Sequence, residues 1–166
     1  MRTFKLVVTF AVTLLGVGWS EARAATATAN SEATVVPAIA IAKDRDLDFG
    51  QVVAGGTSGT VTMSTAGVRT VSGGTTLGNP GNKGPAIFLV TGQPGAGYGI
   101  ILPDPIDLLN GGPSMLVDNF TSTPSGSGIM SGAGEQSVNV GAVLHVGANQ
   151  PPGTYTNTFD VTVAYN

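Results

Sequence analysis

Carboxylates are the residues of this 166-residue chain whose spacing could do chemistry. Asp44-Arg45-Asp46-Leu47-Asp48 has the D-x-D-x-D opening of a calcium loop, in which alternate carboxylates converge on a hard cation. The continuation does not match, since Phe49 stands at the glycine position and Gly55 at that of the bidentate glutamate. The run reads as a solvated turn before a strand. Asp104 and Asp107 resemble a glycosidase acid pair, but that chemistry needs a cleft with sugar-stacking aromatics, and few aromatics are present. His145, the single histidine, falls on the polar side of an alternating segment, and no G-x-S-x-G accompanies it. With no cysteine, thiolate metal sites, cysteine nucleophiles and disulfide scaffolds are excluded. The glycine-rich stretches match neither G-x-G-x-x-G nor the phosphate loop and read as hairpin turns. The sequence therefore points to no catalytic residue, no cofactor and no metal site, and the expectation is a protein that is not an enzyme.

Composition narrows the class further. Charged residues make up 10% of the chain, where about 25% is usual. Hydrophobic residues stay at 42%, which argues against disorder. The net charge of -3 has the wrong sign for a nucleic-acid partner. Arg2 and Lys5, the apolar run Leu6 to Trp19 and the small-x-small triplet Ala22-Arg23-Ala24 predict a secretory signal peptide over residues 1–24. That run is too short for a membrane-spanning helix, which takes roughly 20 residues, and no second one follows, so no membrane span is expected after cleavage. Beyond residue 24, four basic residues remain against nine acidic ones, a net charge of -5. An exported, acidic chain of this length can bury about two-thirds of its surface without disulfides.

The elements that carry these residues are strands and turns. Gly55-Gly56, Gly73-Gly74, Asn79-Pro80-Gly81-Asn82, Pro94-Gly95, Asn110-Gly111-Gly112-Pro113, Pro124-Ser125-Gly126 and Pro151-Pro152-Gly153 are turn signals at β-sandwich spacing. Between them the sequence predicts strands over Leu47–Val53, Thr60–Ser64, Val68–Ser72, Ala86–Thr91, Tyr98–Leu102, Met115–Phe120, Val138–Val146 and Tyr155–Tyr165. Only Asp104–Asn110, opened by Pro105, has room for one short helical turn. Val138, Val140, Ala142, Leu144 and Val146 alternate with polar and small residues, so one face of that strand must be buried. Tyr155, Phe159, Val161, Val163 and Tyr165 likewise share one side. An outer-membrane barrel, needing strands of about 9 to 11 residues and aromatic girdles, fits poorly. The fold class expected is all-β.

Residues 25–42 form an arm ahead of a β-sandwich domain at 43–166. Within it Ala33, Val35, Pro37, Ile39 and Ile41 alternate with mostly smaller residues, and Pro37 marks an edge strand. Such a strand can close its own sandwich or complete the sheet of a neighbour.

The succession Leu47-Asp48-Phe49-Gly50, Gly59-Thr60-Val61-Thr62, Gly67-Val68-Arg69-Thr70, Phe88 with Thr91-Gly92, Val146-Gly147-Ala148-Asn149-Gln150, Gly153-Thr154-Tyr155 and Val161-Thr162-Val163-Ala164-Tyr165-Asn166 resembles the bacterial secreted family catalogued as domain of unknown function 4402. The Leu-Asp-Phe-Gly segment and the last strand also resemble, more distantly, archaic chaperone-usher pilins of the spore-coat-U type. That resemblance implies an immunoglobulin-like antiparallel β-sandwich completed by the N-terminal donor strand of the next subunit. It implies donor positions Val35, Ile39 and Ile41, and a groove bordered by Phe159, Val161, Val163 and Tyr165. Its implied partners are copies of the chain or related subunits, with a periplasmic chaperone and usher. Many of those pilins carry a disulfide that this chain lacks.

The expected function is thus an exported structural or interaction protein, in the periplasm, at the cell surface or outside the cell, and most concretely a fimbrial subunit assembling by β-strand addition. The alternative is a stand-alone β-sandwich module that binds a small molecule or carbohydrate through the loops Thr91–Tyr98 and Thr121–Gly134.

Overall fold

Alternation in the sequence becomes alternation in burial. In β9 (Glu135–Val146) the side chains of Val138, Val140, Ala142, Leu144 and Val146 are all buried, and of the positions between them Asn139, Val143 and His145 lie nearer solvent while Gly141 is buried. The computed structural model describes residues 24–79 and 81–166. The predicted signal peptide lies outside these residues, except for Ala24. Residues 24–34 are exposed and take part in no strand, and the compact unit begins at Val35.

The described residues form nine further strands: β1 (Ala40–Arg45), β2 (Val52–Met63), β3 (Arg69–Leu77), β4 (Ala86–Thr91), β5 (Gly97–Ile101), β6 (Ile106–Leu108), β7 (Met115–Thr123), β8 (Ser127–Ile129) and β10 (Thr162–Tyr165). All pairings are antiparallel, and the architecture is an all-β sandwich. Seven strands form the large sheet. β4 pairs with residues 135–140 of β9, and β2 pairs with residues 142–146. Because Val140 and Leu144 also pair with β7, β4 and β2 must lie end to end along one edge of β9 with β7 on the other. The handover occurs at Gly141, where a Cβ would collide with the carbonyl oxygen of Met63 as β2 leaves. β1 extends the sheet beyond β4, β3 beyond β2, and β6 beyond β7.

The second sheet has three strands in the order β10-β5-β8. It covers the upper half of the large sheet, where Phe88, Val90, Val138 and Val140 meet Tyr98, Ile100, Met130 and Val161. The lower half carries its own apolar cluster of Phe49, Val61, Met63, Val117, Ala142, Leu144 and Val146. No strand of the second sheet contributes a residue to that lower cluster.

The sequence reading needs five corrections. Gly55-Gly56 and Gly73-Gly74, expected as turns, lie inside β2 and β3, so the two segments expected around Val53 and Thr60 are one strand, which absorbs its glycines in a register shift between Ala54 and Gly59. The helical turn expected at Asp104–Asn110 is strand β6, because Ile106 and Leu108 alternate inward and pair with Val117 and Met115. The strand expected from Leu47 begins only at Val52. Asp48 accepts a hydrogen bond from the Gly50 amide at 2.7 Å, and Gly50 takes a φ of 66°, which turns the chain after the isolated Asp48–Gly84 bridge. The strand expected over Tyr155–Tyr165 pairs only from Thr162, although Tyr155, Phe159, Val161, Val163 and Tyr165 all turn inward as predicted. β8 lies in a segment read as loop. Its three residues include a glycine and carry almost no alternation signal.

Tyr98 is fully buried, and its hydroxyl has no hydrogen-bond partner. Burial disfavours the charged form and pushes the phenol above its ordinary value of 10.0. Above that pH the unfolded chain loses this proton before the folded one does, so stability is intact below pH 10.0 and falls as pH rises toward the folded value. Tyr98→Phe removes an unpaired hydroxyl, so its stability at neutral pH is expected to equal or exceed that of the parent by up to about 1 kcal/mol. Melts on both sides of pH 10 check this: the advantage of the variant must grow on the alkaline side. Ending the chain at Asp160 removes the buried Val161 and all of β10. Each such side chain contributes about 1.5 to 3 kcal/mol against a total of about 5 to 15, so no cooperative calorimetric melt is expected.

Candidate functional site

Below the three-stranded sheet the lower core opens into a cavity of about 1120 Å³. Its floor is the inward face of β6, β7 and β9, with Ile106, Leu108, Met115, Val117, Leu144 and Val146. One wall is the chain from Lys43 to Ala54, including Leu47 and Phe49, and the other is the segment from Gln150 to Phe159. Phe159 closes the upper end, its ring edge-on to Phe88 at 6.4 Å and tilted on Phe120 at 5.2 Å.

The first wall is tied by the β1 to β4 ladder, by two backbone hydrogen bonds of 2.9 Å between Asp48 and Gly84, and by Arg69 Nη1 donating to the Phe49 and Gln51 carbonyls; the second is poorly tied. Residues 157–161 make no strand pairing, and Thr156 pairs only with Leu109, through two backbone hydrogen bonds of 3.1 Å. Asn157 Nδ2 donates to the Asp107 carbonyl at 2.9 Å, and the Tyr155 hydroxyl donates to the Pro151 carbonyl at 2.9 Å. The β10 to β5 register sets Thr162 against Ile101, so its continuation places Asp160 against Pro103 and Thr158 against Pro105. Neither proline has an amide to donate, and the ladder stops there. On the opposite wall β1 pairs with β4 on one side only and ends the sheet. The cavity therefore lies between a wall that begins in an edge strand, β1, and a segment, 157–161, that has lost its ladder. Its rim is polar, with Asp48, Gln51, Gln150, Asn157 and Thr158 beside two engaged charges: Lys43 Nζ holds Asp46 Oδ1 at 2.7 Å in solvent, and Arg45 Nε donates to the Pro85 carbonyl at 3.2 Å.

The residues expected at a strand-addition interface fall into two groups. Val35 is 95% exposed and packs on nothing in its own chain's core. Ile39 and Ile41 are half-buried against the upper core of their own chain, and Ile41 pairs with Val90 in the β1 to β4 ladder. Phe159 lines the cavity, Val161 is buried just above it, and Val163 and Tyr165 pair with Ile100 and Tyr98. The floor residues Ile106, Leu108 and Met115 escaped the sequence reading. Their signal was the alternation Ile-Asp-Leu, obscured by the neighbouring prolines.

The remaining candidates stay apart. Asp48 is engaged by the Gly50 amide, Asp46 by Lys43 and Asp107 by the Ser114 hydroxyl at 3.2 Å. Among the described residues, no three His, Cys, Asp or Glu side chains gather as a metal site would require. His145 Nε2 meets Asp118 Oδ1 at 2.9 Å on the outward face, beside a shallow concavity lined by Ser58, Thr60 and Ser114. A base and its orienting carboxylate are present there, but among the described residues no hydroxyl hydrogen-bonds to His145 as a nucleophile would. The loops Thr91–Tyr98 and Thr121–Gly134 are hydrogen-bonded to each other, through Gly92 N to Gly134 O at 2.9 Å and Gly95 N to Met130 O at 3.2 Å, and neither lines the large cavity.

The model of a family described as a domain of unknown function, DUF4402, matches residues 39–165. The chain belongs to the DUF4402 family. No curated protein and no solved structure matches it. The DUF4402 match takes in both cavity walls and the whole floor, and it begins at Ile39, after Val35 and Pro37. Among the described residues no helix is long and apolar enough to cross a membrane.

A folded DUF4402 domain with an open apolar cavity should enhance the fluorescence of a hydrophobic dye while still melting cooperatively. Leu108→Arg places a charge at a half-buried floor position. The expected outcome is severalfold less dye fluorescence with the cooperative melt retained.

Proposed function

We propose that this DUF4402 protein is an exported structural subunit that assembles at the cell surface by β-strand addition, the cavity accepting an extended segment from another copy. The observation that carries this reading is the apolar-floored cavity between a wall that begins in the edge strand β1 and the unpaired segment 157–161. An inserted strand would pair its backbone with an open wall and place alternate side chains on the floor. The volume, about 1120 Å³, lies near the upper end of the roughly 300 to 1,000 Å³ typical of small-molecule pockets, and the floor presents a row of apolar side chains, Ile106, Leu108, Met115, Val117, Leu144 and Val146, that suits the alternate side chains of a strand.

The donor is the segment ahead of β1 in a second copy. Residues 24–38 are exposed and belong to no strand, and Val35 offers an apolar side chain that its own chain does not use. Fully burying Val35 in a neighbour gains about 1.5 to 3 kcal/mol before backbone pairing is counted. Ile39 and Ile41 serve the donor's own fold, so the donated part ends near Pro37. An immunoglobulin-like sandwich completed in trans, with a chaperone to cover the groove before assembly, belongs to the same reading.

The test is gel migration in SDS with and without boiling, paired with light scattering and negative-stain microscopy. Heat-labile ladders and thin fibres are expected from the parent. Val35→Asp should abolish both with its melt unchanged, whereas Ile41→Asp should lower the melting temperature itself. A parent that is monomeric by scattering and runs as a single band would overturn the reading in favour of a stand-alone binding module.

A further inference from the structure

The hydroxyl of Tyr165 joins three segments at the upper end of the open side. It accepts a hydrogen bond from the Gln93 amide at 2.6 Å and donates to the Pro37 carbonyl at 3.0 Å. One hydroxyl with one proton and two lone pairs serves both roles. Space is made for it at Gly92, where a Cβ would collide with the Tyr165 oxygen.

This contact ends the β1 to β4 ladder. The register that pairs Ala40 with Thr91 would continue through Ile39 and Gly92, then Ala38 and Gln93, then Pro37 and Pro94. The Gly92 amide already donates to Gly134, the Gln93 amide donates to Tyr165, and neither proline has an amide to give. The Pro37 carbonyl, the remaining acceptor at that position, is held by Tyr165. The ladder cannot propagate toward Val35, and the root of the arm is fixed at Pro37.

Tyr165 also belongs to the strand whose earlier part walls the cavity. Phe159, Val161, Val163 and Tyr165 alternate inward along this segment, which is paired to β5 from Thr162 and unpaired at 157–161. We propose that Tyr165 couples acceptance to donation: a strand bound in the cavity orders residues 157–161, braces β10, and through the Tyr165 hydroxyl tightens the root of the same molecule's arm. The inference rests on the strand-addition reading. A subunit whose cavity is filled then presents a better-fixed arm and loses less freedom when it donates. By reciprocity, fixing the arm favours filling of the cavity.

The experiment follows amide hydrogen exchange of residues 38–42, the part of β1 and its root that does not line the cavity, in the full chain, with and without a synthetic peptide of residues 25–38 as the probe, and measures peptide affinity alongside. In the parent the peptide is expected to slow exchange at these residues about tenfold, as coupling of ordinary strength does. In Tyr165→Phe the slowing should vanish and the peptide should bind about tenfold more weakly, the reciprocal of the same coupling. Gly92→Ala displaces the hydroxyl without deleting it, must give the same pattern, and serves if Tyr165→Phe fails to fold. Peptide binding that leaves exchange at these residues unchanged in the parent, or slows it equally in the variants, overturns the coupling and leaves strand addition standing. A peptide that does not bind the parent overturns strand addition and the coupling with it.

Discussion

The last strand pairs with β5 only as far as Ile101, because the positions that continue the register, Pro103 and Pro105, have no amides to donate. The rest of the structure depends on that stop. Above it, Thr162–Tyr165 completes a three-stranded sheet that seals Val90, Val138 and Tyr98 from water. Below it, the same chain segment keeps its inward alternation but loses its ladder, and the large sheet continues without a second layer of strands. A sandwich that is closed at one end and open at the other follows from two residues that cannot donate hydrogen bonds.

The sheet tolerates this because its two cores are partly independent. Val138 and Val140 belong to the upper cluster, Ala142, Leu144 and Val146 to the lower, and β9 carries both on one face. Leu47 and Phe120 touch both clusters, and the rings of Phe88, Phe120 and Phe159 stand at the boundary. The upper cluster has the burial expected of a finished domain, so the fold can be stable while the lower one keeps apolar floor residues such as Ile106 and Leu108 half-exposed. In the proposed reading, an extended segment from another copy complements such a site by supplying hydrogen bonds and side chains together.

Much of the fold was legible from the sequence where two signals agreed. Ala86–Thr91 and the buried face of Val138–Val146 combine β-branched residues with strict alternation, and the structure reproduces both. The all-β class and the family followed from residues spread along the chain. Alternation at 155–165 was also legible, yet alternation reports which way side chains point and says nothing about whether a partner strand has amides to offer. That information lay at Pro103 and Pro105, which are distant in sequence, and so the open groove was read as a complete strand. β6 was misread because Pro105 suits a helix start as well as a strand edge.

The central claim is that the cavity takes the arm of another copy, and the absence of native cysteine makes it directly accessible to disulfide trapping. Protein carrying Val35→Cys is mixed with protein carrying a single cysteine at Ile106, Leu108 or Met115 and oxidised under non-denaturing conditions. The account predicts a disulfide between the two populations for at least one floor position, lost when the arm is deleted. Mixtures that yield no cross-population disulfide at any floor position, together with an intramolecular disulfide when both cysteines are placed in one chain, would contradict it.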